Sequence, residues 1–514
     1  MSIQIVDIFA GPGGLGEGFS AFETSLGKRP FKIVVSAEMD KHAAKTLRLR
    51  AFLRQFPEGQ APESYYRYVA GLVDQPWTEH SRKEWEMSGC EALQLELGVQ
   101  SDDIRLNNLI DKVATGSKPW VLIGGPPCQA YSLVGRARNA GSSGYVASED
   151  ERHYLYRHYL KIINCHRPAA FIMENVKGIL SSKVAGEYMF PNILKDLRQP
   201  GGKNGPRYRV IPLLDISPSE SGEYGHNDYI LRAEHLGIPQ SRHRVILLGL
   251  AEGLHVPRAH LLKESNNSSV SVLDVIGELP RIRSELTNID VRNWAQTSSH
   301  ILKSAGVAAR DTDLEVARYL LKLSDQAKQL GDPGIGMRFL RNGQFDRSMD
   351  GGRMPAQLKG WLKDSRLKGF LNHQARGHMQ EDLQRYAYAA AYTKLNGQSP
   401  RGPEGFPIAL HPNHKNWKEG KKFVDRFNVQ KANSPSSTIT SHLAKDGHYF
   451  IHPDATQLRS LTVREAARLQ TFPDNYFFEG PTGSQRKQVG NAVPPLLAYQ
   501  IASVVHAAIA GIKK

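Results

Sequence analysis

Cysteine is nearly missing from this chain: its 514 residues include three, Cys90, Cys128 and Cys165. Three scattered thiols exclude a disulfide framework and a CxxC zinc site, so no metal centre is expected, and they suit a reducing compartment. Long apolar runs are missing too. None approaches the roughly 20 residues that cross a bilayer, and no basic segment followed by an apolar one opens the chain. A membrane span and a secretory leader are therefore not expected, and the cytoplasm is the expected location. No internal repeat or low-complexity tract is present. Acidic residues are in deficit, 51 against 66 Lys and Arg, giving a net charge of +15. With 40% hydrophobic and 23% charged residues, the composition excludes a disordered or fibrous chain. The positive surplus points to a soluble anionic partner, nucleic acid first.

Short apolar runs alternate with helical periodicity over residues 1–252. IQIVDIF, FKIVVSAE, WVLIGGPP, AAFIMENV, YRVIPLLDI and RHRVILLGL read as strands, and helices fit between them around His42 to Arg54 and Asp150 to Cys165. This alternation predicts a doubly wound α/β fold. Residues 56–100 read as an insertion on the rim of the sheet. Over 253–456 the alternation fails, and segments rich in Gly, Pro, Ser, Asn and His read as loops and short strands of a second, smaller domain. Between Ala251 and Phe450 there are 29 Lys and Arg against 20 Asp and Glu, which places +9 of the +15 there. A plain solvated face would also account for this enrichment. Order returns over 457–514. Thr462 and Glu465 form a capping box, and Val493-Pro-Pro opens an apolar helix that should pack as core.

Four segments carry chemistry. Asp7-Ile-Phe-Ala-Gly-Pro-Gly-Gly-Leu-Gly follows a strand and formally satisfies GxGxxG at Gly11, Gly13 and Gly16, with Glu38 at the end of the next strand placed to hold a ribose diol. NAD, FAD and S-adenosylmethionine sites all use this arrangement, and a purely structural turn also fits. Gly124-Gly-Pro-Pro-Cys128 puts a cysteine at the carboxyl end of a strand, where ligands bind in open α/β sheets. Cys128 reads as a nucleophile, whereas Cys165, late in an apolar helix, reads as core. Met173-Glu174-Asn-Val ends another strand with an acid whose burial could raise its pKa enough for proton donation. Gln240-Ser-Arg-His-Arg-Val places Arg242 and Arg244 on one strand face, suited to a phosphate or a carbonyl oxygen. Without the other motifs, Glu174 would read as a cap or ion-pair partner and the arginines as surface residues.

Taken in order, DIFAGPGGLGEGF, GGPPCQ, ENV, QSRHRV, RSLTVREAARLQTFPD and QVGNAVPP resemble the motif set of the DNA (cytosine-5) methyltransferases of prokaryotic type. The likeness covers the α/β part and the last 60 or so residues. It implies a Rossmann-like S-adenosylmethionine-dependent methyltransferase sheet, with 253–456 as an inserted target-recognition domain and the last helix returning to the catalytic domain. By the same resemblance Cys128 is the nucleophile toward cytosine C6, Glu174 acts at N3, Arg244 serves the base and Arg242 supports it. S-adenosyl-L-methionine is assigned to Phe9, Gly11, Gly13, Gly14, Glu38, Asp103, Ile104, Pro127, Leu155 and Asn491. Gln129 and Ser132 are assigned to DNA contacts. The implied partner is double-stranded DNA, gripped by a monomer that flips the target base out, with a cognate restriction endonuclease or a defence system as a candidate companion. Two other readings share parts of this pattern. An NAD-dependent oxidoreductase would use the glycine turn and Glu38 but leave Cys128, Glu174 and the arginines without a joint purpose. An RNA cytosine-5 methyltransferase would use the same motifs, but its recognition segment would be short.

Overall fold

The hydrophobic runs near the N-terminus become the centre of one sheet because parallel strands covered on both faces need near-continuous apolar sequence. In the computed structural model, which describes residues 2–116, 118–127, 152–184, 186–265, 269–287, 291–343, 346–414, 417 and 424–510, six sequence runs form strands as expected. They are β1 (Ile3–Ile8), β2 (Phe31–Glu38), β4 (Trp120–Gly124), β5 (Ala170–Val176), β6 (Tyr208–Ile211) and β8 (His243–Ala251). Two short strands, β3 (Ala92–Gln94) and β7 (Ile230–Arg232), complete the sheet in the order β3-β2-β1-β4-β5-β8-β6, with β7 also paired to β8. Strands β1 to β5 run parallel, and β8 runs antiparallel to β5, β6 and β7. The order reverses between β1 and β4. In such sheets that switch point, at the carboxyl ends of the strands, opens a crevice.

The chain divides into two compact units, and the first comprises residues 1–57, 79–268 and 492–514. Helix α1 (Gly14–Ala21) and the C-terminal helix Pro495–Ala510 cover one face of its sheet, with Phe19, Ile501, Val504 and Val505 fully buried. Helices Gln100–Ala114, Arg152–His166 and Met189–Arg198 supply the core on the other face. The stretch Thr482–Ala510 is long and apolar enough by composition to cross a membrane, yet most of it is buried within the protein.

The second unit comprises residues 58–78 and 269–491. Its helical core is richer than the loop-like reading of the middle segment allowed. Helices Trp294–Ala308, Leu314–Ala327 and Gln380–Asn396 bury Ile301, Leu320, Leu383 and Tyr386 among them. Asn293 and Asp313 cap the first two, accepting hydrogen bonds from Gln296 N at 3.1 Å and Val316 N at 3.0 Å. The Gly- and Pro-rich segments between these helices masked them in the sequence.

The segment 56–100 is also not one rim insertion. Its part 58–78 belongs to the second unit, where helix Glu63–Val69 is fastened by Tyr65 Oη to the carbonyl of Asn475 (2.8 Å) and Tyr68 Oη to Glu479 (2.7 Å). The remainder supplies helix Arg82–Glu91 and the edge strand β3. The predicted capping box is present at helix Val463–Leu469, and the arginines around it are buried and satisfied. Arg459 forms a double ion pair with Glu465 at 2.7 Å, Arg468 binds Asp474 at 2.7 Å, and Arg464 donates to the carbonyls of Leu371 and Tyr476.

Two glycines of helix α1 bring it against the backbone of the C-terminal segment. A Cβ on Gly14 would stand 2.1 Å from the Val493 carbonyl oxygen, and one on Gly18 would stand 2.3 Å from that of Pro495. Gly18→Ala must therefore push the two helices apart. It is expected to cost roughly 1–3 kcal/mol, the usual penalty of overpacking, read as a lower urea or thermal midpoint; an unchanged midpoint would refute this packing.

Candidate active site

The carboxyl edge of the parallel strands gathers the first unit's chemistry-bearing residues. After β1 the chain turns sharply into α1 with φ of 54° at Phe9, 57° at Gly11 and 95° at Gly13. Glycine adopts such angles freely, whereas Phe9 is held there under strain. The Phe9 side chain is anchored against the core beneath the sheet. A Cβ on Gly11 would meet nothing within 4 Å, so this side of the loop is open, while the opposite side at Gly14 is closed by Val493. The loop is thus backed by protein on one side and bare on the other, the shape of a cradle for a ligand.

Glu38 ends β2 and ties this loop in place. Its carboxylate accepts hydrogen bonds from Gly11 N and from Asp40 N, both at 2.8 Å. Asp40 in turn caps helix α2 (Lys41–Leu53) by accepting from His42 N and Ala43 N. Behind the loop, Glu17 is buried against Arg50, with Nε to Oε2 at 2.7 Å, and Arg54 lies 3.7 Å away. Burial opposes ionisation of Glu17, but these guanidinium groups outweigh it and hold its carboxyl below the usual range.

On the other side of the switch point, Gly124-Gly-Pro-Pro continues β4. A Cβ on Gly124 would collide with the Ile8 carbonyl at 2.4 Å, and one on Gly125 would lie 2.9 Å from Glu174 Oε2. Only glycine there lets the Glu174 carboxylate approach the loop. Glu174 forms an ion pair with Arg244 Nε at 2.9 Å, and Arg244 Nη1 donates to the His243 carbonyl. Arg242 is buried close enough to both that the positive charge of Arg244 and the negative charge of Glu174 act on it. Burial comes first among the causes that lower its pKa. Asn175 Nδ2 donates to the Pro126 carbonyl at 3.4 Å, linking the ENV strand to the GGPP turn. Glu174, Arg242, Arg244 and the chain leading to position 128 are therefore one cluster. Cys128, Gln129 and Ser132 themselves lie outside the described residues.

The other expected ligand contacts are dispersed. Asp103 accepts from Gly98 N at 3.1 Å and pairs with His158 at 3.2 Å, on the helix that carries the partly buried Leu155. Ile104 is 54% exposed in the next position, and Pro127 is half-buried at the turn. Asn491 is exposed at the end of helix Thr482–Asn491, the last residue of the second unit. Cys165, expected in the core, is exposed on helix Arg152–His166, because the buried face of that helix is set by Tyr159, Ile162 and Ile163. Among the described residues no cluster of His, Cys, Asp or Glu could hold a metal.

The sequence reading missed one residue at this edge, Asp7. It is 1% exposed, and neither oxygen has a well-formed hydrogen bond among the described residues. Gly16 packs directly on it, since a Cβ there would stand 3.0 Å from Oδ2. Burial pushes its carboxyl up to about 8, beyond the opposing pull of Arg54. An acid inside an otherwise apolar strand was the available signal. The folded protein therefore keeps a proton on Asp7 between about pH 4 and 8 that the unfolded chain has lost. This contribution to stability is full below the ordinary carboxyl pKa and disappears as pH rises through about 8. Asp7→Asn should remove it, so the thermal midpoint of wild type should decline relative to the variant across that window; parallel profiles would refute the assignment.

A family model for the C-5 cytosine-specific DNA methylase matches residues 81–329 and 352–507. The Type II methyltransferase M.Bpa9945I of Bacillus paralicheniformis is 32% identical over 99% of both chains. M.AgeI of Thalassovita gelatinovora, also a Type II methyltransferase, is 25% identical over 76% of this chain and 83% of its own. A crystal structure of a prophage-encoded E. coli protein, assigned as a DNA modification methyltransferase, superposes with a TM-score of 0.52 at 18% identity. The match covers 99% of this chain and 100% of the other, and at that identity the likeness concerns the fold.

Proposed function

Because the chain belongs to the C-5 cytosine-specific DNA methylase family and is a DNA cytosine-5 methyltransferase, we propose that it methylates C5 of a flipped-out cytosine in duplex DNA through a covalent bond from Cys128 to C6. The observation that carries this reading is the single cluster of Glu174, Arg242, Arg244 and the GGPP turn, beside a glycine loop open on one side. Cytosine C5 is a poor nucleophile, so its methylation requires covalent activation. The Cys128 thiolate forms a bond to C6 while Glu174 supplies a proton or a hydrogen bond at N3, and the electron pair of the C5–C6 double bond becomes available at C5. After methylation, C5 loses its proton and the bond to Cys128 breaks, restoring the ring. The Arg244 guanidinium orients Glu174 and faces the base, with Arg242 behind it.

S-adenosyl-L-methionine supplies the methyl group when bound. The glycine loop fits it: Gly11 leaves room where a side chain would stand, and Glu38 fixes the loop through Gly11 N. Phe9, Gly13, Gly14, Asp103, Ile104, Pro127, Leu155 and Asn491 are the further residues assigned to it. Taking the base out of the duplex costs a few kcal/mol, which contacts of the protein with DNA must offset. Gln129 and Ser132 are assigned to those contacts, and the basic second unit supplies the rest. The enzyme acts as a cytoplasmic monomer on chromosomal DNA, with a restriction endonuclease or a defence system as its companion.

Cys128→Ala should abolish methyl transfer and leave S-adenosylmethionine binding intact; turnover above a few per cent of wild type would remove Cys128 from the nucleophile's role. DNA carrying 5-fluorocytosine at the target should trap a covalent complex stable to denaturation, because fluorine cannot leave as a proton does. The target is found by bisulfite-type sequencing of DNA from cells expressing the protein. Failure to trap at a site methylated in that assay would overturn the covalent route.

A further inference from the structure

Within the second unit a cleft of about 130 Å³ lies beside a two-stranded ribbon. Strands Gly336–Arg341 and Gly369–Gln374 pair antiparallel there, joining Met337 to His373 and Phe339 to Leu371 but skipping Arg338 and Asn372 between them. Asn372 is buried at this break and takes a left-handed backbone, with φ of 54°. Strain of that kind persists only where the surroundings hold it. Here the side-chain amide does so: its Oδ1 accepts from Phe478 N at 3.1 Å and its Nδ2 donates to the Phe478 carbonyl at 3.4 Å. Arg338 donates to the carbonyls of Tyr68 (3.1 Å) and Val69 (3.4 Å), and its guanidinium lies 4.4 Å over the Phe477 ring. Glu479 accepts from Tyr68 Oη at 2.7 Å, and Gln485 Nε2 donates to the Gly480 carbonyl at 2.8 Å. These bonds brace the walls of the cleft before any ligand enters.

Two polar groups of the lining are left over. The side-chain amide of Gln374 and the hydroxyl of Thr482 make no hydrogen bond among the described residues. Both residues are partly exposed and Arg338 is exposed, so the space they share is open to solvent. The lining also narrows the ligand's chemistry. The Glu479 carboxylate opposes a phosphate and Arg338 opposes a cation, while Phe477, 4% exposed beneath the guanidinium, offers little apolar surface. An amide and a hydroxyl each donate and accept, and together they suit a neutral group whose edge carries both donors and acceptors. In DNA that group is a base.

We propose that this cleft receives the edge of one base of the recognition sequence, with Gln374 and Thr482 as the residues that read it. This rests on the reading of the enzyme as one that methylates duplex DNA, and adds side chains that choose the sequence. Contacts to backbone phosphates carry no such information, whereas an amide that pairs two-fold with a base edge separates one base from another.

The test uses the full-length protein on a duplex library of randomised sequence, with methylated sites read by bisulfite-type sequencing and duplex affinity measured against salt concentration. Gln374→Ala should leave one position of the methylated motif degenerate, discrimination there falling by roughly 5- to 150-fold, the worth of one two-fold amide contact. The other positions should stay as in wild type. Gln374→Glu keeps the shape but only accepts, so it should exchange the preferred base at that same position. Thr482→Val should loosen the same position to a smaller degree, and it carries the test if the Gln374 variants do not fold. The slope of log affinity against log salt should not change, since no charge is removed. A slope shallower by about 0.9 would show a phosphate contact instead and overturn the proposal. A lowered thermal midpoint with activity reduced equally on every sequence would show a structural role and overturn it too. Wild type that methylates no cytosine in the library would refute the proposed function and this inference with it; a wild-type motif retained by the variants would refute this inference alone.

Discussion

The contact on which the first unit depends is the approach of α1 to the backbone of residues 493–499. Gly14 and Gly18 meet carbonyl oxygens of that segment at distances no side chain could share. This fixes the helix that follows the glycine loop, and with it the strained turn at Phe9, Gly11 and Gly13. It also makes the two ends of the chain one core, since Phe19 and Phe22 of the N-terminal part pack with Ile501 and Val505 of the last helix. The second unit is built from chain inserted between these ends.

Charge at the sheet edge is arranged in pairs that lock geometry. Glu38 is spent on the amides of Gly11 and Asp40, Glu17 on Arg50, and Glu174 on Arg244. The contacts of Glu38 with Gly11, Glu17 with Arg50 and Glu174 with Arg244 each join two different elements, so the edge is preorganised before any ligand arrives. Asp7 stands apart as a carboxyl kept neutral by burial. In the second unit the same economy holds for Arg459, Arg464 and Arg468.

Much of this was legible in the residues. The six apolar runs became six strands, because a sheet covered on both faces demands that pattern over enough length to be read. The capping box at Thr462 and the helix after Val493-Pro-Pro were equally local signals. The helices of the middle segment were not read, although Leu314–Ala327 spaces Val316, Leu320, Leu323 and Ala327 as a helix should. Flanking Gly, Pro and Ser dominated the composition there, and the buried faces of these helices pack on one another. Cys165 is exposed because the position of a residue on a helix face follows from the neighbour it packs against, which no local pattern reveals.

Sequence alone determined the strand succession, the glycine turn and the family, since each rests on residue type at short spacing. Tertiary structure decided what required distant segments to meet. It split 56–100 between two units, joined Glu174 to Arg244 and Asn175 to Pro126, and buried Asp7. Ion pairs, desolvation and steric closeness are properties of residues far apart in the chain, and no local pattern encodes them.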